Sequence, residues 1–178
     1  MLFKPRFYAL LFTLPCAAAA IFTSTAATAH DGGKSAIDIN FAQTYAVAPC
    51  AASAPASNMC LNVTGTSNSH EVGALRFSRV ATFNPGQFDY THPTCIVIET
   101  AGTLTLPRGT LTFHAPGNVC FTEGIAAYNL IITGGTGAYA GAIGGGQIIV
   151  PPPQTSSTGR ELWHLELITT DQNDYRFK

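Results

Sequence analysis

Between Ile131 and Ile149 the chain places seven glycines, Gly134, Gly135, Gly137, Gly141, Gly144, Gly145 and Gly146, among β-branched and small residues. Side-chain-free positions inside strand-like sequence mark sharp turns with positive φ or places where two backbones approach closely. The stretch reads as a strand that ends in Gly134-Gly135-Thr136-Gly137 and a second strand that begins at Ala138. It is not a phosphate loop: no Gly-Lys-Ser/Thr ending is present, and no helix follows to present its N-terminus to an anion. A dinucleotide fingerprint fails for the same reason. A calcium-binding glycine repeat fails because it needs an Asp in each unit.

Strand candidates with short, turn-signalled gaps surround this stretch. They are Ile37–Val47, Leu61–Thr66, Val72–Phe83, Thr94–Leu106, Thr110–Phe121, the segment carrying Tyr128, Leu130 and Ile132, the glycine strand itself, and Glu161–Thr169. In the third, Leu75, Phe77 and Val80 are the apolar positions, with Arg76 and Arg79 between them. In the last, Trp163, Leu165 and Leu167 share one face, and Leu162, His164, Glu166 and Ile168 share the other. Asn84-Pro85-Gly86 signals a turn, and Pro151-Pro152-Pro153 stops the glycine strand, because proline cannot donate to a ladder. No segment sustains a 3.6-residue period, so no long helix is expected after residue 29. Eight antiparallel strands joined by hairpins suit an up-and-down barrel or a sandwich. Glycine clusters inside strands favour the barrel, which must curve.

The hairpin around Pro107-Arg108-Gly109 can be read in register. A two-residue loop at Arg108-Gly109 makes partners sum to 217, setting Leu106 opposite Leu111 and Leu104 opposite Phe113, with Thr103, Thr105, Thr110 and Thr112 on the other face. Cys120 then lies one diagonal step from the position facing Cys95, and a bulge at Pro116-Gly117 would bring the two opposite. Four cysteines follow residue 29: Cys50, Cys60, Cys95 and Cys120. An even number in an exported chain points to two disulfides, and Cys50–Cys60 with Cys95–Cys120 is the preferred pairing. A zinc site would need paired Cys-x-x-Cys knuckles, which are missing.

Export itself is read from the first 29 residues. Lys4 and Arg6 precede an apolar run from Phe7 to Phe22 and then Ala27-Thr28-Ala29, which is the order of a secretory signal peptide. The run is short for a membrane span. A mature chain of residues 30–178 would be a single domain, secreted or periplasmic, with residues 30–59 as a flexible, disulfide-pinned lead-in and no membrane span. It would lose two of the nine basic residues and none of the ten acidic ones, so a net charge of −1 becomes −3. That balance lacks the basic patch a nucleic-acid partner needs.

One motif carries a family resemblance. Ile132-Thr-Gly-Gly-Thr-Gly-Ala-Tyr-Ala-Gly-Ala142 resembles the signature of the allene oxide cyclase and dirigent superfamily: a strand ending in Gly-Gly-Thr/Ser-Gly, an aromatic two residues on, here Tyr139, and then Gly-Ala, here Gly141-Ala142. The resemblance implies an all-β, eight-stranded antiparallel barrel of the calycin type, with one mouth open to a mostly apolar cavity. It also implies a small hydrophobic molecule as partner, either simply bound or guided through cyclisation or coupling, and a homo-oligomer. Gly134, Gly135, Gly137, Tyr139 and Gly141 form a structural signature and carry no catalytic role. The third reading is a non-catalytic structural or surface-interaction domain.

Three residues are candidate lumenal ligand contacts: Glu99, inside an otherwise apolar strand; Tyr128; and His164, which shares a face with Glu166. The alternatives are that Glu99 lies on a solvated outer face, that His164 and Glu166 form an exterior polar face opposite Trp163, Leu165 and Leu167, and that Tyr128 is a core aromatic. No cofactor is expected, and no metal. The rival metal reading is a copper site on His30 as a mature N-terminus, completed by one of His70, His92, His114 or His164.

Overall fold

The computed structural model describes residues 34–70, 72–89, 91–155 and 157–168. Among them eight strands close into one antiparallel barrel in sequence order: β1 (Lys34–Ala48), β2 (Met59–Ser69), β3 (Gly73–Asp89), β4 (His92–Leu106), β5 (Gly109–Cys120), β6 (Ile125–Gly135), β7 (Ile143–Val150) and β8 (Thr158–Ile168). β1 closes the ring by pairing with β8 from Lys34↔Ile168 to Thr44↔Thr158. Much of the segment read as a lead-in is therefore barrel wall. The signal-peptide stretch and His30 lie outside the described residues. No helix among those described is long and apolar enough to cross a membrane.

Alternation of side chains along each strand decides what points inward. β1 sends in Ile37, Ile39 and Phe41, β8 sends in Trp163, Leu165 and Leu167, and β4 and β5 meet at Leu104↔Leu111, both fully buried. Four rings fill the centre. Trp163 lies 5.3 Å from Phe41, 5.1 Å from Phe77 and 5.0 Å from Phe113, centroid to centroid. The contacts with Phe41 and Phe113 are edge-on and that with Phe77 is tilted; aromatic pairs of these kinds contribute about 0.5–1.5 kcal/mol each beyond the area they bury.

The two ends of the barrel differ. The β1–β2, β5–β6 and β7–β8 connections lie at one end, with both disulfides, Cys50–Cys60 and Cys95–Cys120. Here Tyr45, Leu61, Phe83 and Val119 are only partly buried against the core. The opposite end has tighter turns and is capped by buried Val72, Tyr139 and Ala142.

Four local features differ from what the sequence predicts. The β4–β5 loop is Pro107-Arg108, so partners sum to 215: Leu106 faces Gly109 and Cys95 faces Cys120 directly, with no bulge. A shift of two residues preserves which face each side chain occupies, which is why the apolar face and the disulfide pairing both survive it. Asn84-Pro85-Gly86 does not end a strand; β3 continues through it with a register shift between Phe83 and Phe88. Residues 136–142 are a turn around a 3-10 segment, Gly137–Tyr139, and β7 starts only at Ile143. Gly137 has φ +60°, and an added β-carbon there would run into the Arg108 carbonyl, so this glycine shapes the turn that seats Tyr139 in the barrel end. Finally, Arg79 points inward and Val80 outward, the reverse of the apolar reading of β3.

Candidate functional site

Arg79, Glu161, Tyr128 and Trp163 meet inside the barrel. β3 supplies Arg79 between Phe77 and Ala81, and β8 supplies Glu161 two residues before Trp163. On both strands the charged residue stands nearer the loop-rich end than its aromatic neighbour, so the polar group lies on that side of the four-ring cluster. Arg79 is 4% exposed and Glu161 is 0% exposed. Arg79 Nη2 donates to Glu161 Oε1 in a direct ion pair. Trp163 Nε1 donates to the other carboxylate oxygen at 2.7 Å, so both oxygens of Glu161 are held. The Arg79 guanidinium carbon lies 4.9 Å from the Tyr128 ring centroid and 5.9 Å from that of Phe77, within cation–π range of both.

Burial by itself would lower the Arg79 pKa, but the Glu161 carboxylate and then Tyr128 outweigh it and the net shift is upward. Burial raises the Tyr128 pKa, against the opposing pull of Arg79, so the phenol keeps its proton at neutral pH. Arg79 Nε and Nη1 are buried and no acceptor meets hydrogen-bond geometry at either, although the Tyr128 phenol stands close enough to act on the guanidinium as a hydrogen-bond partner. Two unpaired cationic donors inside an apolar barrel are costly to leave unmatched, and they mark where an acceptor belongs.

The loop-rich end is partly closed by residues 151–155 and Ser157. Gln43, 4% exposed, donates from Nε2 to Gln154 Oε1 at 3.1 Å, Gln154 donates in turn to the Pro151 carbonyl, and Tyr45 N donates to Ser157 O at 2.9 Å. Beside it, the Cys50–Cys60 loop forms an open cup of about 400 Å³ lined by Val47, Ala51, Pro55 and Met59. The cup lies on the loop and has none of the buried charged groups.

Of the three residues singled out in sequence, only Tyr128 lies in the lumen. Glu99 stands on the outer face of β4, between inward-facing Ile98 and Thr100, and is exposed. His164 is on the outer face of β8, where its Nδ1 lies 2.7 Å from Asp38 Oδ1 and its Nε2 lies 3.3 Å from Glu166 Oε1. Both residues carry the wrong strand parity for the interior. Arg79 and Glu161 are the lumenal charges that sequence reasoning passed over. The signal was available: Arg79 has the parity of Leu75 and Phe77, and Glu161 has that of Trp163 and Leu165. Among the described residues, one group of three ligating side chains comes together, Cys95, Cys120 and Glu123, and its two sulfurs are joined in a disulfide.

No family model and no curated protein matches the sequence. Solved structures do match the fold. A nonspecific heme-binding cyclase that catalyses a 4 + 2 cycloaddition during neoabyssomicin biosynthesis is 14% identical, with a TM-score of 0.52 over 96% of this chain and 84% of that one. A pterocarpan synthase dirigent protein is 10% identical, with a TM-score of 0.49 over 82% and 91% of the two chains. A Diels–Alderase from Streptomyces koyangensis is 13% identical, with a TM-score of 0.47 over 79% and 67%. At such identities the likeness is one of architecture: the chain is a closed eight-stranded antiparallel barrel and shares its fold with that cyclase.

Proposed function

We propose that this protein is an exported barrel that binds a small hydrophobic molecule in its lumen, at the loop-rich end. The observation that carries this reading is the buried Arg79–Glu161 pair, with Tyr128 against it and two Arg79 donors unmatched, set in an otherwise apolar interior. Ligand sites are built this way: apolar walls give affinity and a few fixed polar groups orient the guest. The partly buried Tyr45, Leu61, Phe83 and Val119 would line the approach. Glu99 and His164 would take no part, and Tyr128 remains a contact. Two disulfides fit an oxidising compartment outside the cytoplasm, and a mature N-terminus at His30 would identify the leader. The test is mass spectrometry of whatever co-purifies with the exported protein, followed by titration with a neutral hydrophobic dye such as Nile red. A protein that carries nothing and binds no dye would refute the proposal.

A second reading, catalysis of a cyclisation or coupling step, is favoured by the same buried charges. Preorganised N–H donors and a phenol proton beside a folded substrate would stabilise negative charge developing on its oxygen and hold a reactive conformer. The fold it shares with a cyclase is an analogy only. Tyr128→Phe separates the two readings: it should leave ligand affinity within about threefold while abolishing turnover of a substrate identified by mass spectrometry.

A further inference from the structure

We infer that the lumenal ligand is an uncharged molecule bearing a carbonyl or comparable oxygen acceptor, and that Arg79 Nε–H and Nη1–H receive that oxygen. This deepens the lumen-binding reading and rests on it. Arg79 is a cation, but Glu161 already neutralises it, and the described buried polar and charged residues are otherwise Gln43 and Thr100, which are neutral. The pair has no net charge to offer. A carboxylate placed on Arg79 would sit close to Glu161 and leave one uncompensated negative charge in a low-dielectric interior, which is strongly unfavourable. A neutral oxygen avoids that repulsion and still satisfies the two donors. A pure hydrocarbon would contact the apolar walls but offer no acceptor to Arg79 Nε and Nη1.

Glu161 cannot turn away to relieve the charge, because Trp163 Nε1 and Arg79 Nη2 hold both of its oxygens. Nor can Arg79 easily be re-aimed. Its guanidinium carbon lies over the Tyr128 ring at 4.9 Å and the Phe77 ring at 5.9 Å, and Nη2 is bonded to Glu161. The ion pair therefore acts as a fixed, neutral donor group rather than as a free cation.

The experiment is displacement of Nile red from the whole exported protein at neutral pH by three probes of matched length: undecane, methyl decanoate and sodium decanoate. Methyl decanoate should displace the dye at a concentration at least about tenfold below either of the others, the discrimination expected of a hydrogen bond from a charged donor. In Arg79→Met/Glu161→Met, which keeps the interior neutral and filled, the ester should lose its advantage over undecane. If undecane matches the ester in the wild type, the inference fails while lumen binding stands. If decanoate binds tightest, the inference is overturned and Arg79 is acting as a free cation. If the dye does not bind at all, the lumen-binding reading itself fails.

Discussion

A β-carbon at Gly102 would lie 2.6 Å from the β-carbon of Arg79, its cross-strand partner on β3. The absence of a side chain on β4 thus sets where the Arg79 chain enters the lumen, and through it where the guanidinium meets Glu161.

Replacing Gly102 with alanine should therefore be costly. The obstructing atoms belong to the β3 backbone and the root of the Arg79 side chain, which cannot swing aside. Overpacking of this kind costs about 1–3 kcal/mol or somewhat more. Gly134→Ala, where the nearest atom is Thr112 Oγ1 at 3.1 Å, should cost much less. Urea unfolding of the two variants checks the order, and equal midpoints would contradict it.

The Arg79–Glu161 pair makes a non-additive prediction. Arg79→Met or Glu161→Met alone strands a buried partner and should destabilise by about 3–5 kcal/mol. Arg79→Met/Glu161→Met removes both charges and should recover most of that loss. A double-mutant cycle from denaturant midpoints measures it. Simple additivity of the two singles would mean that the groups do not interact.

His164 gives a pH dependence of known sign. The hydrogen bond that its ring gives to the Asp38 carboxylate raises its pKa most; desolvation opposes this, and the weaker hydrogen bond to Glu166 adds to the rise, so the net shift is upward. A raised folded-state pKa stabilises the protonated form. The contribution is complete below the unfolded value of about 6.5 and is lost as pH rises through the folded-state pKa. The side chain is 46% exposed, so solvent and salt should hold the effect below about 1 kcal/mol. His164→Gln should remove this component, read as the change in stability between about pH 6 and about pH 8 at low salt. An NMR titration of the ring that shows no upward shift would refute the assignment.

The disulfides should differ in weight. Cys50–Cys60 closes a separation of 10 residues and Cys95–Cys120 one of 25. Loop-closure entropy alone gives about 2.7 and about 3.5 kcal/mol respectively. Cys95→Ser/Cys120→Ser should thus lower the melting temperature more than Cys50→Ser/Cys60→Ser. Alkylation in denaturant, with and without reductant, should reveal four additional thiols on reduction.

The eight strands, their antiparallel order and the cysteine pairing were readable before any coordinates, because each depends on patterns local to one or two hairpins. Alternation through Leu104, Leu106, Leu111 and Phe113 needs only the pleat. The loop in that hairpin lies one residue earlier than the sequence predicts, yet the facing of every side chain is as expected, since the register difference is an even number. The glycine stretch was legible as scaffold but not in detail: Tyr139 sits in a turn, not a strand, because Gly137 takes positive φ and Ala142 N donates back to Tyr139 O at 3.0 Å.

The site divided differently. The sequence by itself determined that charged residues would lie within strands, and strand parity already assigned Arg79 to the face of Phe77 and Glu161 to the face of Trp163. Which face was the inside, and that two residues 82 positions apart would share one hydrogen bond there, was decided only by closure of β1 onto β8. Closure fixes the interior because a ring of eight strands has one concave face, and the face richest in large apolar side chains takes it. Arg79 and Glu161 were carried inside by their neighbours, and Glu99 and His164 were left outside by theirs.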